Sequence, residues 1–475
     1  MTTAERHPAA VALSRAALAA ADDTRTQTPP ARIVHIGLGV FHRAHQAWYT
    51  DRAHDRAQWG IAAFTGRDPQ AALLLSAQEG LYTLIERGAD RDSATVIASI
   101  VEARDGADLE RFLALLASPS TALVTTTVTE AGYRLDPDGQ PNAADPVLAA
   151  DLRAISAALG RAELLAPDGG VPQSALGRLL LGFEARRRAG GGPIALVPCD
   201  NVPSNGTFVA RGLHAMAART NDELAAWIDR SVSFVSTSVD RITPKSTPAD
   251  LATATELTGW RDRATVVTEP FRDWVLSGEF PAGRPAWESA GARFVADIEP
   301  FERRKLWLLN GAHSLLAYVG LHRGHDTVAQ AMADRVCLEW VNEYWDEAAR
   351  HLPLAELDID AYRGALVERF ENPRIEYQLR QIATDGVAKL RVRVAPVVIA
   401  ERAAGADAQA SIRAIATWVL LILGGAAFDD TEADAVAVAA RSPRAAAVRA
   451  LLELVQPRLV EDPHVIGSVL EIAAQ

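Results

Sequence analysis

Cysteine is nearly absent from this chain of 475 residues, where only Cys199 and Cys337 occur. Two thiols cannot build a disulfide framework, and with no C-x-x-C spacing they suggest no structural zinc, so a reducing cytoplasm is the simplest compartment. Positive charge is also short: 48 Lys and Arg stand against 60 Asp and Glu, a formal net charge of −12. That balance argues against nucleic acid as the main partner, because phosphate binding needs clustered cations. A small anionic substrate needs only two or three local cations and stays open. Long apolar runs are missing too. "AIATWVLLILGG", residues 414–425, falls short of the ~20 residues that span a bilayer, and reads as a buried helix rather than a membrane segment. Residues 1–30 have no continuous apolar core followed by a cleavage signal, and read as an N-terminal extension made of a short helix and a linker.

What is present fits an enzyme-sized globular protein: 49% of residues are apolar and 23% charged, in a chain too long for one ordinary core. From Arg32 onward, "RIVHIGLG", "QWGIAAFTG", "TALVTTTVTEAGY", "PIALVPCDN" and "SVSFVSTSVDRITP" read as strands, rich in Val, Ile and Thr and bounded by turn residues. Ala-rich helical stretches separate them, which implies crossover units and a mostly parallel sheet. After about residue 290 the segments become long, Ala/Leu-rich and helical in period, as in "RRKLWLLNGAHSLLAYVGLHRG". The fold class expected is therefore α/β: a dinucleotide-binding (Rossmann-type) domain over 31–289 and an all-α domain over 290–475.

The stretch "IVHIGLGVFHRAHQAWYTD", residues 33–51, begins like a dinucleotide-binding turn. Gly37 and Gly39 take the first two glycine places of G-x-G-x-x-G, but His42 takes the third. A strand, a glycine pair and a helix starting near His42 would put backbone N–H groups where a pyrophosphate sits. Arg43 could pair with a phosphate, while His42 and His45 could equally be hydrogen-bonded residues that fix the loop. A metal reading lacks a further ligand at suitable spacing. The second strand, "GIAAFTGRD", ends with Arg67 and Asp68. Asp68 would suit the ribose of NAD and Arg67 the 2′-phosphate of NADP, or both are solvated loop charges.

In "PFERRKLWLLNGAHSLLAY", residues 300–318, a helix at about 100° per residue places Lys305, His313 and Asn310 at roughly 0°, 80° and 140°. Leucines and Trp307 surround this polar arc, and buried polar groups are costly without partners. Lys305 in that setting suits a general base; the plainer alternative is an exposed "ERRK" run with satisfied core polar groups behind it. Asn201 and Asp240 each end an expected strand, where ligands gather in open α/β sheets, although either could be an Asx turn.

Taken together, "GLGVFHRAHQAWYTD", "TVTEAGY", "PCDNVPSNG", "VDRITP", the K-x4-N-x2-H of "KLWLLNGAHS", and "NPRIEYQLRQIATDG" with Lys389 resemble the mannitol dehydrogenase family of long-chain polyol dehydrogenases. The resemblance implies an active site between the two domains and a metal-independent oxidation of a secondary alcohol by NAD, with NADP not excluded. It implies Lys305 as base, Asn201 and Asn310 as hydrogen-bond donors to the developing alkoxide, and His313 and Asp240 as binders of neighbouring hydroxyls. Glu302 would relay the proton to solvent, and Arg380 and Lys389 would be substrate cations. Gly37, Gly39, Phe41, His42, Arg43 and Asp68 would serve the cofactor. The implied partner is a small polyol, with a sugar acid as alternative, on a monomer or small homo-oligomer. Val387 and Arg391 depart from the family pattern in "DGVAKLRVR", and extra cations such as Arg391 would suit a carboxylate. A catalytically silent NAD-binding sensor is the reading from another class, and it needs no base and oxyanion clamp together.

Overall fold

The computed structural model describes residues 10–21, 23–142, 144–165, 170–352, 355–375 and 377–474. The reading of residues 1–9 as part of a short helix and linker lies outside the described residues. The chain forms two compact units, Met1–Ile298 and Glu299–Gln475.

The first unit is built on a six-stranded, all-parallel sheet. Its strands, numbered within the sheet, are β1 (Ala31–Ile36), β2 (Gly60–Phe64), β3 (Ile100–Arg104), β4 (Leu123–Thr126), β5 (Ile194–Pro198) and β6 (Val232–Phe234). They lie in the order β3-β2-β1-β4-β5-β6, the strand order of dinucleotide-binding sheets. Side chains alternate between two cores, as period-2 geometry demands. Val34 and Ile36 pack on one face with helices Leu109–Ala117 and Ala175–Ala189. Ile33, Ile61 and Val197 pack on the other with Trp48, Trp274 and Trp287. A sheet covered on both faces needs near-continuous apolar strands, which β1, β2 and β5 have.

The stretch 232–240 is not one strand. Val235 breaks it, so that Val232–Phe234 joins the parallel sheet while Ser236–Asp240 pairs antiparallel with Asp273–Ser277. A further hairpin, Tyr82–Arg87 with Asp92–Ile97, pairs with Val266–Thr268.

The second unit is helical, and among its described residues no strand occurs beyond an isolated bridge between Thr327 and Gln378. The apolar run at 414–425 falls in helix Gln409–Leu423 up to Leu423, with Gly424 and Gly425 following its end, and the helix is buried from Ala410 to Val419 apart from Arg413. No helix among the described residues is long and apolar enough to cross a membrane.

Candidate active site

The turn after β1 is set by close approach of backbone to backbone. Gly37 has φ +109°, and a Cβ there would sit 2.3 Å from the Thr127 carbonyl oxygen, so only glycine fits. Its N–H and that of Leu38 both donate to the Phe64 carbonyl at 2.9 Å, tying the turn to the end of β2. Gly39 differs: a Cβ there would meet nothing closer than 3.5 Å. Protein packing leaves room for a side chain at Gly39, and the bare backbone is what a pyrophosphate at the start of helix Val40–Ala44 requires. The turn therefore fits a dinucleotide.

The F-H-R-x-H residues correct the expected roles. The helix begins at Val40 rather than near His42, and it breaks at His45, where a second helix, Gln46–Arg52, starts. His42 is fully buried and stacks on His35 with ring centroids 3.4 Å apart and planes within 10°. A flat ring on a flat ring keeps helix and strand close, the task the third glycine performs elsewhere. His35 in turn bonds to Thr125 Oγ1 (2.8 Å) and Thr127 Oγ1 (3.2 Å), and Thr127 Oγ1 donates to the Gly37 carbonyl (2.8 Å). Burial pushes the His35 pKa down to about 3 and that of His42 well below the usual value. Arg43 does not present its guanidinium to a phosphate. It is buried and donates from Nε to the Gly39 carbonyl (3.2 Å) and from Nη1 to the Ala264 carbonyl (2.5 Å), so it braces the turn from behind. Phe41 is half-buried and stacks on His45 at 5.1 Å. Asp68 and Arg67 are exposed, and Asp68 Oδ1 accepts from the Gln70 N–H at 3.0 Å, ahead of helix Gln70–Ser76.

Asn201 sits exposed in the loop after β5, which is held by a residue that spacing and motif did not single out. Asn205 supplies the brace: Nδ2 donates to the Pro198, Asp200 and Thr237 carbonyls at 3.1–3.2 Å, and Oδ1 accepts from the Thr237 N–H at 2.8 Å. Tyr133, from "TVTEAGY", donates to Asp200 Oδ2 at 2.5 Å. Burial raises the Asp200 pKa, and the tyrosine bond partly offsets that. Two motifs more than 60 residues apart in sequence are thus joined by one phenol–carboxylate bond. Asp240, half-buried, ends strand Ser236–Asp240. The next residue, Arg241, is buried and ties that strand end to the Ala44 carbonyl (2.6 Å), the Glu269 carbonyl (3.2 Å) and Glu86 (2.5 Å).

In the second unit the helix from Glu299 to His322 is not a regular α-helix. Lys305–Gly311 is wound as a π-helix between α-helical segments Glu299–Arg304 and Ala312–His322. With i→i+5 bonding, Asn310 lies about one turn on from Lys305 and nearer its face than the 140° or so that α geometry gives. Glu302 lies one turn earlier, three residues before Lys305, and all three side chains are half-buried. His313 is buried, its ring 4.6 Å from Phe370 and edge-on to Tyr377 at 5.1 Å. A widened turn leaves carbonyls in need of other donors, and side chains provide them. Trp345 Nε1 donates to the Leu308 carbonyl at 2.8 Å, while Ser314 Oγ (3.2 Å) and Arg393 Nη1 (3.4 Å) donate to that of Asn310. Gly311 makes room for Tyr344, since a Cβ there would lie 2.0 Å from the phenol oxygen.

The cations nominated from sequence are placed unequally. Arg380 is exposed in the short helix Leu379–Ile382. Lys389 Nζ donates to the Ile382 carbonyl (3.0 Å) and Thr384 Oγ1 (3.1 Å), which uses two of its three protons, and burial lowers its pKa. Arg391 is spent elsewhere, on Glu432 (2.9 Å) and the Val455 and Leu454 carbonyls at 3.1 and 2.6 Å. Ligand atoms of His325, Asp334 and Cys337 lie within 4.8 Å of one another. Asp334 Oδ2 already holds Arg323 Nε (2.6 Å) and His325 Nε2 (3.0 Å), and its Oδ1 caps Val336, so the group closes a helix start.

The family model described as mannitol dehydrogenase Rossmann domain matches residues 31–289, and that of the mannitol dehydrogenase C-terminal domain matches 297–470. An uncharacterized oxidoreductase of Escherichia coli K12 is 34% identical over 92% of this chain and 90% of its own. The D-mannonate oxidoreductase of the same organism is 38% identical over 76% of this chain and 74% of its own. Among solved structures, the ternary complex of Pseudomonas fluorescens mannitol 2-dehydrogenase with NAD and D-mannitol superposes with a TM-score of 0.76. It is 30% identical and covers 98% of this chain and 94% of that one.

Proposed function

Because the chain belongs to the mannitol dehydrogenase family, we propose that it moves a hydride between NAD and a secondary alcohol carbon of a linear polyol, without a metal. The reaction type is mannitol to fructose. The observation that carries this reading is the π turn, which opens on a half-buried lysine and brings an asparagine nearer its face, with a buried histidine one turn on.

Lys305 accepts the hydroxyl proton as the C–H electron pair departs as hydride, so the oxygen becomes a carbonyl without passing through a free alkoxide. Asn310, its main chain fixed by Ser314 and Arg393, donates its amide to that oxygen while charge builds there. Asn201 keeps the same role, and His313 and Asp240 bind hydroxyls on neighbouring carbons. Glu302, one helical turn from Lys305, passes the proton on to water. The dinucleotide, when bound, supplies the hydride acceptor. Gly37 makes the turn, Gly39 and the amides of the first helical turn at Phe41 would hold its pyrophosphate, and Asp68 is the acid that follows the second strand and would serve its ribose. His42 and Arg43 serve the cofactor by shaping this turn. A sugar acid is the second reading of the substrate, favoured by the setting of Arg393.

The test is the absorbance of reduced nicotinamide during incubation with a panel of polyols and uronates, with NAD and NADP compared. Lys305→Ala is expected to lower turnover by about two decades or more, the usual worth of a general base, with NAD affinity nearly intact. Near-normal turnover of this variant at all pH values would remove Lys305 from the role.

A further inference from the structure

Two buried arginines of this protein spread their donors over several acceptors. Arg186 gives Nε to the Gly192 carbonyl (2.8 Å), Nη1 to those of Leu116 and Ser118 (2.9 Å each) and Nη2 to that of Pro193 (3.1 Å). Arg241 has Glu86 and two carbonyls. Arg393, at the end of helix Gly386–Arg393, is different. Only its Nη1 is engaged, in two long bonds to the Asn310 carbonyl (3.4 Å) and Ser314 Oγ (3.3 Å). Nε and Nη2 have no partner among the described residues, and neither belongs to the polar atoms sealed from solvent.

The charges around Arg393 are equally uneven. Among the described residues its electrostatic neighbours are the phenols of Tyr318, Tyr377 and Tyr344, with no carboxylate, and burial lowers its pKa. Lys389, four residues earlier on the same helix face, adds a second cation that feels Arg393. Asp385 and Asp430 act on Lys389 rather than on Arg393. A largely buried guanidinium without an acid is costly, and such groups are completed by a partner. Its position says where that partner belongs: Nη1 touches the main chain of Asn310, and Tyr377 packs edge-on to His313.

We propose that Arg393, with Lys389 beside it, is the specificity-determining cation of the site and receives a carboxylate of the substrate through Nε and Nη2. The substrate is then a sugar acid rather than a neutral polyol. Two parallel N–H donors in a fixed fork match a carboxylate and leave a hydroxymethyl group poorly served. This puts the sugar acid before the neutral polyol as the substrate of the proposed hydride transfer, and rests on that transfer taking place at Lys305.

Fructuronate and fructose form the matched pair, with the same carbon chain ending in a carboxylate or a hydroxymethyl group. In the reducing direction, the kcat/KM of the native enzyme for fructuronate is expected to exceed that for fructose by a hundredfold or so, and Arg393→Gln is expected to cut that ratio at least tenfold, mainly through the KM for fructuronate. A native ratio near one, or in favour of fructose, overturns the proposal. So does an Arg393→Gln variant that loses both activities alike, which would leave Arg393 a strut for the π turn. Arg393→Lys, which keeps a donor and the charge, decides the matter if the glutamine variant does not fold: a lower ratio supports the fork and an unchanged ratio refutes it. Failure of the underlying reading looks different, with hydride transfer absent for every substrate or undiminished in Lys305→Ala.

Discussion

His35 shows how a single buried residue couples the cofactor turn to pH. It is fully buried, bonded to two threonines, and held neutral with a pKa of about 3. In the unfolded chain the same imidazole titrates near 6.5. Between those values the unfolded state binds a proton that the folded state refuses. Its stabilising contribution is therefore complete above about pH 6.5 and is lost as the pH falls, at about 1.4 kcal/mol per pH unit. By pH 5 the loss from His35 alone is about 2 kcal/mol. His35→Gln, which can still bond Thr125, is expected to flatten the decline in denaturation midpoint between pH 7 and 5. An equally steep decline in the variant would acquit His35. Roles at this scale were the least legible in the sequence, because a sequence shows a charge but not its partner. Arg43 and Arg391 both looked available, yet one braces a turn through carbonyls and the other is paired with Glu432. Arg393, two residues from Arg391, is the cation left open, and nothing in "KLRVR" ranks one above the other.

Among the elements, the helix carrying Lys305 departs furthest from its sequence. Its polar arc was readable from spacing, but the extra residue per turn was not, since the segment is apolar nearly all round and carries no period to violate. The cause lies in a different helix, Arg335–Ala349, which supplies Tyr344 against Gly311 and Trp345 to the Leu308 carbonyl. Gly311→Ala is expected to force the turn away from Tyr344, costing about 1–3 kcal/mol of stability and lowering turnover by up to about a hundredfold through misplacement of Asn310. Gly364→Ala is the control. That glycine lies in helix Ile359–Phe370 with nothing within 4 Å of a new Cβ, so the variant should gain up to about 1 kcal/mol and keep its turnover. If Gly311→Ala is as stable and active as Gly364→Ala, the π turn has no part in catalysis.

On the scale of the molecule, the alternation of strand and helix signals was enough for a parallel sheet, because each βα unit announces itself locally through turn residues and β-branched runs. The hairpin of Tyr82–Arg87 and Asp92–Ile97 went unread because it pairs with Val266–Thr268, a segment far along the chain that no local pattern links to it. The two units give the cofactor proposal a spatially resolved test. In the first, the amides of Gly37 and Leu38 are already bonded to Phe64, whereas those opening helix Val40–Ala44 are the ones a helix start leaves for a ligand. With NAD at about a hundred times its dissociation constant, global unfolding is opposed by about 2.7 kcal/mol. Hydrogen exchange should slow most over residues 37–46, through direct protection at Gly39 to Phe41, and much less over 409–423, where helix Gln409–Leu423 is already packed. Uniform slowing along the chain, or none at 37–46, would place the dinucleotide elsewhere and remove the glycine turn from its proposed task.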